Sequence, residues 1–200
     1  MMQTAPKKGA LEVICGPMFS GKSEELMRRL RRLMIAKKNV LVFKPVIDTR
    51  RGVEQVTSHN GNKMGAIPVQ NPHAIIELVT HNIDIVGIDE AQFFSHELIN
   101  VLIELTDAGK HVLVAGLNLD FRAVPFGSMP ILMAMADTVT KLSAICITCG
   151  NDAFFTQRLV DGKPAAYEDS LIKVGAEEAY QARCRNCYVI DKRAVWQSTL

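Results

Sequence analysis

An α/β architecture, built on a mostly parallel sheet with helices on both faces, is predicted by three observations. The first is the passage ICGPMFSGKSEELMRRL from Ile14 to Leu30, where an apolar run enters a glycine loop and leaves it as a helical pattern. The second is the repetition of strand-length apolar runs separated by amphipathic stretches, which is the signature of βα units. The third is the aliphatic run Ile83 to Ile88, which ends on Asp89 and Glu90. Carboxylates there sit at the carboxyl end of a strand, where open α/β sheets bind ligands.

The elements follow in order. Leu11 to Cys15 reads as the first strand, and Ser23 to about Lys38 as a helix with an apolar stripe of Leu26, Leu30, Leu33 and Met34. Arg28, Arg29, Arg31 and Arg32 fall mostly on its wet side; a solvated helix face accounts for such a run better than nucleic acid does. Asn39 closes that helix, and VLVFKP, Val40 to Pro45, is a buried strand. The polar cluster within Thr57 to Gly65 suggests a hairpin tip, with Asn60-Gly61 suited to a type I′ turn. A helix from about Pro72 to Thr80, a strand Ile83 to Ile88, a helix capped by Ser95 and ended near Gly109, and a strand Val112 to Ala115 complete the alternation.

At 200 residues and 48% hydrophobic, the chain is long enough for one substantial core and a small satellite domain. A formal charge of +2 supplies no field that would hold DNA or an anionic membrane. The N-terminal stretch MMQTAPKKGALEVIC lacks the features of a signal peptide, and no apolar segment approaches the length of a membrane span. The reading is a cytoplasmic protein whose first residues, to about Lys8, are mobile.

Three motifs carry chemistry. Gly16 to Ser23 fits G-x-x-x-x-G-K-S: Gly16, Pro17, Met18, Phe19, Ser20 and Gly21 form a turn whose backbone N–H groups converge on phosphate oxygens at a helix N-terminus. Lys22 reaches the β- and γ-phosphates, and Ser23 offers a hydroxyl to Mg²⁺. The chain therefore binds a nucleoside triphosphate. Asp89 is placed to hold the same Mg²⁺, and Glu90 to take a proton from whatever attacks the γ-phosphorus, whether water or an alcohol. The third motif is the pair Cys146-x-x-Cys149 and Cys184-x-x-Cys187, two knuckles of a four-thiolate structural Zn²⁺ site, with redox chemistry at one pair the rival. Cys15 is left over as a packed small side chain. No two of the five histidines have ligand spacing, and they receive no role.

Zinc would clamp the ends of Gly150 to Arg183, a segment containing a turn at Asp161-Gly162-Lys163 and long enough to act as a lid. A nucleic-acid-binding zinc ribbon is the alternative. Its acids, Asp152, Asp161, Glu168, Asp169, Glu177 and Glu178, set against Arg158, Lys163, Lys173 and Arg183, give the wrong balance for tracking phosphates.

The order GPMFSGKS, KPVIDTR from Lys44 to Arg50, GIDEAQFF from Gly87 to Phe94, PFG from Pro125 to Gly127, and paired CxxC closely resembles the type II thymidine kinases over nearly the whole chain. The resemblance implies a RecA-like sheet domain joined to a zinc-bearing lasso domain. The expected divisions are a flexible 1–10, a nucleotide-binding 11–143, a zinc and lasso domain 144–190, and a tail 191–200. It further implies transfer of the γ-phosphoryl group of ATP, with Mg²⁺, to the 5′-hydroxyl of thymidine or deoxyuridine, with Glu90 as general base. Asp48, Thr49, Arg50 and Gln92 would join Asp89 and the glycine loop at the phosphates. Met18, Phe93, Leu117, Phe121, Phe126, Thr156 and Tyr180 would line the nucleoside pocket, and Leu171, Ile172, Lys173, Val174 and Gly175 would offer backbone hydrogen bonds to the base. A homotetramer, inhibition by dTTP, and no nucleic-acid or membrane partner complete the expectation. Asn118 departs from the Asp that bacterial relatives often carry. The competing reading is a DNA-stimulated ATPase carrying a zinc ribbon.

Overall fold

A computed structural model describes residues 8–46, 55–57, 63–171 and 179–192. In chain order the elements are β1 (Ala10–Cys15), α1 (Lys22–Ile35), β2 (Val40–Pro45), β3 (Gln55–Thr57), β4 (Lys63–Gly65), β5 (Ile67–Val69), α2 (His73–Leu78), β6 (Ile85–Ile88), a 3₁₀ turn (Ala91–Phe93), α3 (Glu97–Asp107), β7 (His111–Gly116), α4 (Met129–Met135) and β8 (Thr138–Lys141). A second group follows: β9 (Ala144–Ile145), β10 (Asp152–Ala153), β11 (Phe155–Val160), β12 (Lys163–Pro164) and β13 (Ala179–Arg183).

The main sheet has the order β5-β2-β6-β7-β1-β8, and every pairing in it is parallel. This bears out the expected parallel sheet, with β7 lying between the glycine-loop strand β1 and the acid-bearing strand β6. Side chains alternate across it as the period of a strand requires. Leu11, Val13, Cys15, Phe43, Val86, Ile88, Val112 and Val114 join a cluster with α2, α3 and α4. Ile14, Val42, Ile85, Leu113 and Ala115 face the other way and pack under Leu26, Met27 and Leu30 of α1. Helices therefore cover both faces, one on one side and three on the other.

Several sequence expectations are corrected. Helix α1 ends at Ile35, three residues before the expected Lys38. Lys37 takes a left-handed φ of 60°, and the bonds Lys38 N to Leu33 O and Lys37 N to Met34 O close a Schellman motif. Asn39 does not cap the helix. Its N–H donates to Asp84 Oδ2 and its Nδ2 to Asn82 O, which fixes the chain's entry into β2 beside β6. The buried face of α1 includes Met27 rather than Met34, which is 53% exposed. Ser95 donates its hydroxyl to Glu97 Oε2 and makes no cap hydrogen bond to an α3 backbone N–H. Lys8, expected to be mobile, pairs with Asp107 at 2.9 Å, and Gly9 N donates to Thr106 O. Residues 1–7, the Asn60-Gly61 tip and residues 193–200 lie outside the described residues; the strands on either side of that tip do pair antiparallel, Thr57 opposite Lys63.

The second group holds an antiparallel β9-β10 pair and a β12-β11-β13 sheet. The expected turn at Asp161-Gly162 is present, with both residues at positive φ, 49° and 74°, as a type I′ turn demands.

Candidate active site

The glycine loop leaves β1 at the carboxyl edge of the sheet. Gly21 has φ of 80°, a conformation that spares it a Cβ penalty and lets α1 start at Lys22. The Lys22 ammonium is buried and donates to Pro17 O at 2.7 Å, and Ser20 Oγ donates to the same carbonyl at 2.8 Å. Burial pushes Lys22 below its ordinary value, while Glu90 and Asp89 pull it back up. Gly16 and Pro17 are buried, Met18 and Ser20 half-buried, and Phe19 exposed with a left-handed φ of 66°.

Separated from β1 by β7 in the sheet, β6 delivers the acids. Ser23 Oγ donates to Asp89 Oδ2 at 2.9 Å and approaches Oδ1 at 3.2 Å, so the loop and the strand end meet across β7. Asp89 is 5% exposed; burial, then the neighbouring Glu90, raises its carboxyl to about 7, against the hydrogen bond from Ser23. A hydroxyl beside a carboxylate is an all-oxygen donor pair suited to a hard cation such as Mg²⁺. Glu90 adopts a left-handed φ of 53°, rare for a residue with a Cβ and concentrated at functional positions. Gln92, on the 3₁₀ turn that follows, donates from Nε2 to Glu90 Oε2 and accepts from Leu117 N at 2.9 Å. The sequence reading put Gln92 with the phosphates and missed this bridge, which local spacing does not disclose because Leu117 belongs to another strand end.

The loop after β7 carries three of the expected pocket residues, Leu117, Phe121 and Phe126. Buried Asp120 shapes it by accepting from Arg122 N and Val124 N through Oδ1, an Asx-type turn, and from the Arg122 guanidinium through Oδ2. Phe126 N donates to Asn118 O, and Phe126 meets Phe93 edge to face with ring centroids 5.3 Å apart. Gly127 is required by contact as well as by its φ of 52°, since a Cβ there would lie 2.4 Å from Gln92 O. Asn118 is buried, and among the described residues its Oδ1 has no hydrogen-bond partner.

The second group of strands closes on this edge. Met18 N donates to Thr156 Oγ1 at 3.0 Å, tying the glycine loop to β11. Tyr188 Oη donates to Phe121 O at 2.6 Å, and the Arg158 guanidinium lies 5.0 Å from the Phe121 ring centroid. Arg158, counted from sequence in the charge balance weighed against nucleic-acid binding, is fully buried and donates to Ser170 O at 2.6 Å. Tyr180 stands opposite Arg158 in the β11-β13 register, and Leu171 is exposed. Thus Met18 and Thr156 are brought together, as are Phe93 and Phe126. Asp48, Thr49, Arg50, Ile172, Lys173, Val174 and Gly175 lie outside the described residues.

Cys146, Cys149, Cys184 and Cys187 form one cluster, with all sulfurs within 4.8 Å of one another and the Cys149 and Cys184 sulfurs 3.6 Å apart. The two knuckles turn alike: Gly150 N donates to Cys146 O and Tyr188 N to Cys184 O. Burial works to raise the Cys146 thiol, but backbone N–H groups of Cys184, Thr148 and Cys149 outweigh it and bring the thiol down to about 6. Four converging thiols with no disulfide among them fit a tetrahedral Zn²⁺. Cys15 is buried, and burial raises its thiol, as a packed side chain requires.

The thymidine kinase family model matches residues 9–188. The chain belongs to the thymidine kinase family. Membership implies a kinase that phosphorylates thymidine, and the match takes in the glycine loop, the acid pair and both cysteine knuckles together. In a thymidine kinase the attacking group is an alcohol, which resolves the choice between water and alcohol that the acid pair leaves open. No helix among the described residues is long and apolar enough to cross a membrane.

Proposed function

We propose that this thymidine kinase uses ATP as donor and Glu90 as general base. The observation that carries the reading is the meeting of Ser23 Oγ with Asp89 Oδ2 at 2.9 Å, which sets the phosphate loop against the acid-bearing strand with Glu90 next along the chain. The loop N–H groups and Lys22 hold the triphosphate, with Asp48, Thr49 and Arg50 joining them. Ser23 and Asp89 would hold Mg²⁺, which when bound would supply screening of phosphate charge. Glu90 accepts the proton of the 5′-hydroxyl as that oxygen attacks the γ-phosphorus, and ADP leaves.

Thymidine lies between the loop after β7 and the second strand group: Met18, Phe93, Leu117, Phe121, Phe126, Thr156 and Tyr180 form the walls, and Leu171 to Gly175 pair with the base edge. Thymine presents one donor between two acceptors, which an extended backbone pairs like an added strand. Cytosine would leave buried groups unpaired. The contact of Met18 with Thr156 supports residues 144–190 acting as the nucleoside-side lid domain. A dTTP molecule with its base in this pocket and its phosphates on Lys22 would exclude both substrates, giving end-product inhibition in a cytoplasmic salvage role. A homotetramer is the assembly we associate with this activity.

ADP formation should be stimulated by thymidine and not by single-stranded DNA. Glu90→Gln should keep ATP affinity and lose about 10²–10⁴-fold in turnover, since the amide fills the same volume without accepting the proton. Retention of more than about a third of wild-type turnover, far short of that loss, would remove Glu90 from the role of base.

A further inference from the structure

We infer that Gln92 is a positioning residue that aims the Glu90 carboxylate, through an amide whose orientation is dictated by the backbone at the end of β7. The inference deepens the reading of Glu90 as base and rests on it.

Gln92 is 3% exposed and its side chain makes two hydrogen bonds, to Glu90 Oε2 and from Leu117 N. A backbone N–H only donates, so the amide oxygen must face Leu117. The NH₂ group is then left facing Glu90, and it too only donates. The carboxylate therefore meets a fixed donor, with no flipped alternative that satisfies both partners. The main chain of Gln92 is clamped as well, because Gly127 presses against its carbonyl where a Cβ would stand 2.4 Å away.

Glu90 needs such a restraint. It is only half-buried, and its left-handed backbone places it in a conformation that costs a residue with a Cβ on the order of 1–3 kcal/mol. The loop that begins at Leu117 also carries Phe121 and Phe126, so one amide links the base to the wall where the nucleoside sits. A carboxylate displaced by about 1 Å from its acceptor hydroxyl loses about 10²-fold in rate.

The test uses the full-length enzyme and two variants. Gln92→Glu keeps an oxygen for Leu117 N–H but replaces the donor to Glu90 with a like-charged group; Gln92→Met keeps side-chain length and removes both bonds. Each should lower kcat by about 10–100-fold while leaving KM for ATP and for thymidine within about 3-fold. In the Glu90→Gln background the same substitutions should cost less than about 2-fold more, because the group they position is gone. Wild-type kcat in Gln92→Glu, a rise in KM for ATP with kcat retained, or an equal loss in both backgrounds would overturn the inference. The last two results leave Glu90 as base untouched. Only retention of more than about a third of wild-type turnover in Glu90→Gln itself would bring down both.

Discussion

Glu25 illustrates how much a single side chain on α1 is asked to hold. Its carboxylate accepts from Arg28 Nε at 2.6 Å and Nη2 at 2.8 Å, and from Arg29 Nε at 2.7 Å, while Arg29 reaches on to Glu12 at 2.7 Å and Thr140 at 2.8 Å. The helix is thereby pinned to β1 and β8. The Arg28 hydrogen bond, outweighing burial and aided by Arg29, holds the Glu25 carboxyl at about 2, below its ordinary 4.5. A depressed acid contributes stability that is fully present above pH 4.5 and drains away as pH falls toward about 2. Glu25→Gln should therefore lower stability at pH 7 by about 1 kcal/mol, Arg28 being exposed and screened. The gap between variant and wild type should narrow when melts are repeated near pH 3. A gap of constant size across that range would mean that the ion pairs contribute nothing through ionisation.

Among the elements, α1 separates apolar character from burial. Leu26, Met27 and Leu30 lie under the sheet, whereas Met34 and Ile35 are 53% and 81% exposed because the Schellman turn at Lys37 lifts the last turn clear. Leu30→Ala should cost about 2–5 kcal/mol, the range for a core leucine left with a cavity. Met34→Ala should fall within about 0.5 kcal/mol of wild type, as surface changes do. Urea unfolding of the two variants distinguishes this face from the stripe of Leu26, Leu30, Leu33 and Met34 suggested by periodicity, which makes Met34 as costly as its neighbours.

For the whole molecule, the question is how the sheet and the strands beyond Ser143 act as one enzyme. The glycine loop touches β11 through Met18 and Thr156, and Tyr188, one residue past the last knuckle cysteine, holds Phe121 of the loop after β7. Losing the metal should therefore be felt in the nucleoside pocket before the phosphate site. Freshly purified protein should contain about one Zn²⁺ per chain, and Cys184→Ser should lose it together with most thymidine affinity, while ATP affinity suffers less. Calorimetric titration of each ligand and metal analysis provide the readouts. Metal-free active protein, or a disulfide in the cluster, would rule out structural zinc.

Motifs whose geometry depends on adjacent residues were legible in the chain itself: Gly16 to Ser23 as a glycine loop between strand and helix, Asp89-Glu90 at a strand end, and two CxxC knuckles. Their geometry is set by a few local torsions, so short spacing carries the information. The parallel sheet was legible for the same reason, since apolar runs of strand length leave few other ways to be buried. Short and exposed elements were not. Strand β5 is three residues long, β8 reads TVTK at a sheet edge, and α4 is a single apolar run, so none has a period long enough to identify it. Only the tertiary structure decided which distant groups meet. Strand order puts β7 between β1 and β6, which carries Ser23 to Asp89 and the Leu117 N–H to the Gln92 amide. It also makes Arg158 a buried support for Phe121, a burial that the sequence does not disclose. Contacts of this kind depend on how the strands are stacked, a property of the assembled sheet that no local window of residues contains.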